Sequence, residues 1–255
     1  MSRVLAASML PVIGALMACQ GGNSQTQAES AQENAAGSDN AQEMAAAAPD
    51  AALTGMTRLG AARPELYVDM PRVWPVGPNG STRIIPVCWE QSGSATEKAW
   101  VRDAIEQSWD MVSLADFTGW GDCAGNSRGI RIMFEDQGAF TQGLGTRLNG
   151  VPNGMHLNFT METWNRGCVQ QSGLEACIRM VAIHEFGHAL GFAHEQNRPD
   201  TPGECQRRQG SPGTLMLTPW DPHSVMNYCN PVYSNGGRLS DGDISGVQQV
   251  YGAAM

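Results

Sequence analysis

The sequence predicts an α+β domain built on a mixed β-sheet, preceded by a segment that lacks a core of its own. The chain has 255 residues, of which 42% are hydrophobic and 16% are charged, and this composition suits one packed domain with accessory segments. Apolar residues alternate along the first part of the domain, as in strands, and recur at helical spacing along the second part. No apolar run reaches the roughly 18 residues of a membrane-spanning helix.

Residues 1–18 have the layout of a secretory signal peptide. A positive charge at Arg3 precedes an apolar stretch that ends in Leu-Met-Ala before Cys19. This ending resembles the lipobox of bacterial lipoproteins, in which the signal is cut before the cysteine and the cysteine is acylated. The resemblance implies a lipid anchor at Cys19 in the bacterial cell envelope, and Gln20 favours the outer membrane. An ordinary signal peptide with an incidental cysteine is the alternative.

Residues 19–63 form the predicted tether, and residues 64–255 form the predicted globular domain. Small and polar residues dominate 20–52, and such a segment cannot bury enough apolar surface to offset the entropy of ordering the chain. Apolar content returns just before residue 64. A cut within the tether would release the domain from the membrane.

Three segments have the character of strands. The first is 83–89, in which Pro86 indicates a sheet edge or a bulge. The others are 129–135 and 155–159, which are separated by a long glycine-rich loop over 138–154.

Three segments have the character of helices. Capping-box patterns at 94–97 and 172–175 predict a helix over 95–113 and a second helix that ends at Gly191. A third helix is predicted to begin near Leu239. Strands followed by helix, loop and helix are typical of an α+β domain with a mixed sheet.

The cysteines suggest a disulfide framework. If Cys19 carries lipid, an even number of cysteines remains in an exported domain, which fits three disulfides. The sequence allows many connectivities. Short loops favour the pairs Cys168–Cys177 and Cys205–Cys229, which leaves Cys88–Cys123.

The second helix carries a metal-binding pattern. His184 and His188 are four residues apart, so they lie on one helix face and can bind the same ion. A glycine such as Gly191 adopts positive φ easily, and the resulting turn brings His194 to a third ligand position. Three imidazoles with an open fourth position are typical of a catalytic zinc site. We therefore predict one catalytic Zn²⁺, with Glu185 able to reach a water on that ion.

The same residues resemble the metzincin zinc metalloproteases. Residues 184–194 match their pattern H-E-x-x-H-x-x-G-x-x-H, and Met226 within Ser-Val-Met-Asn-Tyr resembles the Met-turn beneath the three histidines. The run H-E-Q-N-R-P-D from His194 is similar to the signature of the astacin family of peptidases. The resemblance implies a mixed twisted sheet, two helices above the cleft, and an irregular C-terminal half with the Met-turn and a terminal helix. The tail over 239–252 and the glycine-rich loop look more like a matrixin.

The resemblance implies a zinc-dependent endopeptidase of peptides or proteins. In that family the residue matching Glu185 acts as general base, and the tyrosine matching Tyr228 stabilises the oxyanion. The glutamate matching Glu195 pairs with the freed amino terminus of the mature enzyme. Lipid at Cys19 would block that pairing, so we expect Glu195 to pair with an arginine.

The substrate is expected to bind by strand addition along a sheet edge above the cleft. We assign this edge to Met155, His156, Leu157, Asn158 and Phe159. His156 is interpreted as a cleft or surface residue without a metal role.

Partners other than the substrate are few. The formal net charge of −9 argues against nucleic acid. We expect a monomer that contacts the membrane only through its lipid. The alternatives are a matrixin-like zinc protease, or a zinc-containing envelope lipoprotein that binds peptides without cutting them. All residues that the chemistry requires are present, which favours the enzyme.

Overall fold

The structure is a computed structural model that describes residues 66–75, 82–217 and 219–254. The predicted signal peptide, Cys19 and the whole of the predicted tether lie outside these residues. Among the residues it describes, no helix is both long enough and apolar enough to span a bilayer.

The described chain contains seven strands and five α-helices. The strands are β1 (Tyr67–Val68), β2 (Arg83–Trp89), β3 (Ala115–Asp122), β4 (Ile130–Phe134), β5 (Phe140–Thr141), β6 (Met155–Leu157) and β7 (Leu215–Met216). The helices are α1 (Ala95–Glu106), α2 (Trp109–Val112), α3 (Arg166–Ser172), α4 (Leu174–Ala189) and α5 (Asp241–Tyr251). This is the predicted α+β class, with β3 as a strand that the sequence analysis did not identify.

Five strands form one mixed sheet in the order β3-β2-β4-β6-β5. The first four strands run parallel to one another, and β5 runs antiparallel to β6. Strands β1 and β7 form a separate antiparallel pair. Strand β2 is interior, so Pro86 does not mark an edge. Pro86 itself is paired in register with Thr118, and the bulge lies one residue further along, between Val87 and Cys88, where Trp120 is the extra residue of β3.

The assignment of the substrate edge to residues 155–159 is wrong. Met155, His156 and Leu157 form β6, which lies between β4 and β5, whereas Asn158 and Phe159 follow the strand. The edge on this side of the sheet is β5, a two-residue strand inside the predicted glycine-rich loop, and the opposite edge is β3. Strand β5 escapes a sequence search because so short a strand shows no alternation and is defined only by its pairing with β6.

Helix boundaries differ from the prediction at both capping-box patterns. Ser94 precedes α1 in a left-handed conformation and makes no side-chain cap, and the predicted helix over 95–113 divides into α1 and α2. Ser172 is the last residue of α3, so it cannot cap the next helix. Gly173, at φ +85°, separates α3 from α4. Of the described α-helices, the terminal one has a complete capping box, formed by Ser240 and Asp243.

The core fills the space between the sheet and helices α1 and α4, which pack together. Trp109 is fully buried there, and its indole N–H donates to the carbonyl of Ile183 on α4 at 2.9 Å. The three predicted disulfides are all present: Cys88–Cys123, Cys168–Cys177 and Cys205–Cys229. The core fixes α4, whose C-terminal half carries two of the histidines, against the sheet.

Candidate metal centre

Three histidines meet at the end of α4. His184 and His188 lie one turn apart on the helix, and Gly191 at φ +99° reverses the chain so that His194 returns to them. The Nε2 atom of His194 lies 3.1 Å from that of His184 and 3.1 Å from that of His188. All three rings are buried. The structure therefore brings the three predicted ligands together.

The protonation of these rings fits a bound cation. Each Nδ1 lies within hydrogen-bond distance of a backbone carbonyl, which can only accept, so Nδ1 carries the proton in each ring. The carbonyls belong to Val225 for His184 (2.7 Å), Phe192 for His188 (2.8 Å) and Gln209 for His194 (3.0 Å).

Burial keeps the three rings neutral. It lowers the pKa of His184 to about 3, that of His188 to about 4, and that of His194 well below its usual value. Three unprotonated Nε2 atoms then face one another without a hydrogen between them. Such an arrangement repels itself unless a cation lies at its centre, and three imidazole donors suit Zn²⁺.

Glu185 and Met226 flank the histidines. Glu185 follows His184 on α4 and is buried. Met226 is fully buried, and its carbonyl accepts from the N–H of Glu195 at 3.0 Å, so the predicted Met-turn lies directly beneath the third histidine. A Cβ atom on Gly187 would clash with Met226 Sδ and would lie 3.3 Å from Cζ2 of Trp109. The glycine therefore provides the space that the methionine fills.

We expect Gly187→Ala to destabilise the protein by about 1–3 kcal/mol, because the added methyl group overfills a closely packed contact. Chemical denaturation of the metal-free protein measures this. Gly167→Ala is the matched control. Gly167 is also helical, and nothing lies within 4 Å of its added Cβ, so that change should be neutral or slightly stabilising. Equal stability of the two variants would contradict the packing argument.

Tyr228 stands over the centre. Its ring stacks on His184 with centroids 5.1 Å apart and contacts His194 with centroids 4.5 Å apart. The residue is 37% exposed. Its backbone N–H donates to Oε1 of Gln196 at 3.2 Å. A phenol group at the open side of the cluster can donate a hydrogen bond to a group bound there.

Glu195 pairs with an arginine, as expected. Oε2 of Glu195 lies 3.4 Å from Nη1 of Arg198, and both side chains are fully buried. The same oxygen accepts from the N–H of Asp221 at 3.1 Å. Burial raises the pKa of Glu195 to about 8, and the charge of Arg198 opposes this shift. Arg198 also binds Asp200 through two hydrogen bonds of 2.8 Å.

His156 lies apart from the centre. Its Nδ1 is 2.6 Å from Oε1 of Glu135, and its ring stacks on Phe140 of β5. The described residues contain one cluster that could hold a metal ion, and His156 is not in it. His156 is buried, so it is not the surface residue that one interpretation of the sequence expected.

The sequence analysis missed two residues that support the histidines. Asp243 of α5 accepts from the N–H of Val225, whose carbonyl is bonded to His184. The sequence signal for Asp243 was its place in the capping box with Ser240 at the start of α5. Asn197 binds the backbone of Gln209, whose carbonyl is bonded to His194. No sequence pattern indicates this contact, because it closes an irregular loop.

Known proteins resemble this chain in sequence and in fold. The Astacin peptidase family matches residues 166–204, which include the three histidines. The zinc metalloproteinase nas-36 of Caenorhabditis briggsae is 37% identical over 76 residues, and so is its namesake in Caenorhabditis elegans. Each match covers 24% of this chain and spans only 12% of the length of the curated relative.

Among solved structures, myroilysin matches with a TM-score of 0.51 and 20% identity, covering 72% of this chain and 97% of its own. The chain has the fold of the astacin-like zinc proteases. High choriolytic enzyme 1, a hatching enzyme zinc-protease from the medaka fish Oryzias latipes, matches 71% of this chain and 94% of its own at 20% identity, with a TM-score of 0.49. The elements of this chain confirm the mixed sheet, the irregular C-terminal half and the terminal helix that the sequence resemblance implied.

Proposed function

We propose that this protein is a zinc-dependent endopeptidase. The observation that carries the proposal is the convergence of three buried imidazoles beside Glu185 on an astacin-like fold. The astacin match over residues 166–204 supports the same reaction class and favours it over a matrixin-like protease.

His184, His188 and His194 would hold the ion. Zinc, when bound, supplies Lewis acidity that activates water and polarises the scissile carbonyl. The Glu185 carboxylate accepts a proton from the attacking water and then delivers it to the nitrogen of the leaving amine. The Tyr228 hydroxyl donates a hydrogen bond to the oxygen that becomes negatively charged. Backbone carbonyls keep the ring protons on Nδ1, so every Nε2 lone pair would be available to hold the ion.

The substrate is proposed to bind along β5. This strand has a neighbour on one side only, so its other side can pair with an extended peptide by strand addition. It also lies against α4, which carries Glu185 and two of the histidines. The proposal moves the substrate edge from β6 to β5 and leaves the mode of recognition unchanged.

Hydrolysis of a denatured protein tests the proposal directly. The zinc-loaded chain should cleave denatured casein, 1,10-phenanthroline should stop cleavage, and added zinc should restore it. One bound zinc without cleavage of casein or of a peptide library would contradict the enzyme and support a peptide-binding protein. Absence of stoichiometric zinc would contradict both the zinc-dependent enzyme and the zinc-containing peptide-binding protein.

We expect Tyr228→Phe to lower kcat by about 10²–10³-fold with little change in KM, because a donor to the developing oxyanion is worth that much. Steady-state hydrolysis of a quenched fluorescent peptide measures both constants. Tyr67→Phe, which removes a hydroxyl outside the histidine cluster, is the control and should leave kcat unchanged. A similar kcat for the two variants would remove Tyr228 from the reaction.

We also propose that lipid at Cys19 anchors the protein in the bacterial envelope as a monomer, with the outer membrane favoured by Gln20. The lipobox-like ending of the first 19 residues supports this. Radiolabelled palmitate should label the chain expressed in a bacterium and should not label Cys19→Ser. An unlabelled wild-type chain would contradict the anchor.

A further inference from the structure

The third histidine is oriented by a different kind of segment from the other two. The carbonyl bonded to His184 belongs to Val225, whose N–H is fixed by Asp243 of α5 at 2.9 Å. The carbonyl bonded to His188 belongs to Phe192, whose N–H donates to the carbonyl of a residue in α4 at 3.0 Å. Both carbonyls are therefore tied to helices. The carbonyl bonded to His194 belongs to residue 209, in a segment without helix or strand.

Asn197 holds this segment in place. Its Oδ1 accepts from the N–H of Gln209 at 2.8 Å, and its Nδ2 donates to the carbonyl of Gln209. The same Nδ2 lies 3.5 Å from the carbonyl of Ser211. One side chain thus bonds both polar groups of the Gln209 backbone. We call this pair of hydrogen bonds between Asn197 and Gln209 the amide clamp.

The amide clamp is built into the turn that carries the ligand. Asn197 ends the short 3-10 turn that follows His194, and its own N–H donates to the His194 carbonyl at 3.1 Å. Asn197 is 7% exposed, so water competes little for its hydrogen bonds. His194 and the clamp therefore belong to one hydrogen-bonded turn, and the Gln209 carbonyl lies 3.0 Å from Nδ1 of His194.

We propose that Asn197 is a positioning residue for the metal centre, acting through Gln209 to fix the ring orientation and tautomer of His194. This inference rests on the proposed zinc function and adds a residue to it. Groups that orient a metal-bound histidine contribute about 10- to 100-fold to metal affinity. A carbonyl in an irregular segment can orient a histidine ring only if other hydrogen bonds fix its position. The side chain of Asn197 supplies these hydrogen bonds to Gln209.

The chain contains a matched control for the amide clamp. The Gln91 side chain also bonds both polar groups of one residue. Its Nε2 donates to the carbonyl of Phe134 at 3.1 Å, and its Oε1 accepts from the N–H of Phe134 at 2.8 Å. This second clamp joins the segment after β2 to β4 and bonds none of the three histidines. Replacing Gln91 therefore removes the same two hydrogen bonds without touching the metal centre.

The experiment compares Asn197→Ala and Gln91→Ala in the full chain by competition for zinc with a chromophoric chelator. Asn197→Ala should bind zinc about 10- to 100-fold more weakly than wild type, whereas Gln91→Ala should keep wild-type affinity. Unfolding of both metal-free variants shows whether they lose similar stability. Equal zinc affinity in Asn197→Ala and wild type would overturn the proposal, and so would an equal loss in Gln91→Ala.

Hydrogen–deuterium exchange on the metal-free chains separates this proposal from the proposed function. Asn197→Ala should speed exchange of the Gln209 amide, and Gln91→Ala should leave it unchanged. If the wild-type chain binds no zinc, the proposed function fails, and exchange then decides whether Asn197 holds Gln209. Unchanged exchange in Asn197→Ala overturns the clamp whatever the zinc result.

Discussion

Replacing Glu185 with glutamine is expected to abolish peptide hydrolysis while zinc stays bound. The substitution keeps the volume of a buried side chain on α4 and removes only the basic carboxylate. Glutamine cannot accept a proton from the attacking water or return one to the leaving amine, and general acid–base catalysis contributes about 10²–10⁴-fold to each step that uses it. Cleavage of denatured casein, measured beside zinc content, tests this result.

The matched control is Glu175→Gln on the same helix. Glu175 is half exposed and forms a salt bridge with Arg179 at 2.8 Å, a surface pair worth at most about 1 kcal/mol. This variant should retain full activity and full zinc. Chelator-sensitive cleavage by Glu185→Gln at the rate of the control would exclude Glu185 as the general base.

The histidine cluster could be predicted from the sequence because its geometry is local. Positions 184 and 188 share a helix face in any α-helix, and Gly191 has the positive φ that the reversal to His194 requires. Among the disulfides, short loops favoured Cys168–Cys177 and Cys205–Cys229, and Cys88–Cys123 was the pair that remained. Features set by three or four neighbouring residues leave a readable pattern in the sequence.

The substrate edge could not be predicted because it is set by long-range pairing. Strand β5 is two residues long and is a strand only because it pairs with β6. Strand β3 is interrupted by positive φ at Gly119 and Trp120, which removes the alternation that would have revealed it. The contact between Asn197 and Gln209 spans an irregular loop, where no periodicity links partner positions.

The pair of Glu195 and Arg198 was partly predictable: the sequence indicated the type of partner, and the structure shows the burial of both side chains. The resemblance to the astacins implied that Glu195 pairs with a freed amino terminus, and a lipid at Cys19 would block that pairing, so an arginine was expected as the partner. The structure identifies Arg198, three residues along the chain. Only the fold shows that both side chains are fully buried, and burial determines how much their separation costs.

Arg198→Met is expected to lower the free energy of unfolding by about 3–5 kcal/mol, because it removes the charge that opposes the raised pKa of Glu195 and leaves that carboxyl group buried without its partner. Urea denaturation of the metal-free protein measures the loss. Arg179→Met, which removes the surface pairs with Glu175 and Asp103, should cost at most about 1 kcal/mol. Equal losses in the two variants would show that the buried pair adds nothing beyond a surface contact.

A double variant separates the charge from the packing. Glu195→Gln combined with Arg198→Met leaves no buried carboxylate at this position, and the glutamine can still accept from the N–H of Asp221 as Oε2 of Glu195 does at 3.1 Å. Removing both partners of a buried ion pair costs far less than removing one. The double variant should therefore be more stable than Arg198→Met alone. If the double variant is less stable than Arg198→Met, Arg198 stabilises the protein through its hydrocarbon packing and its bonds to Asp200. In that case the charge of Glu195 does not explain why Arg198 is buried beside the third histidine.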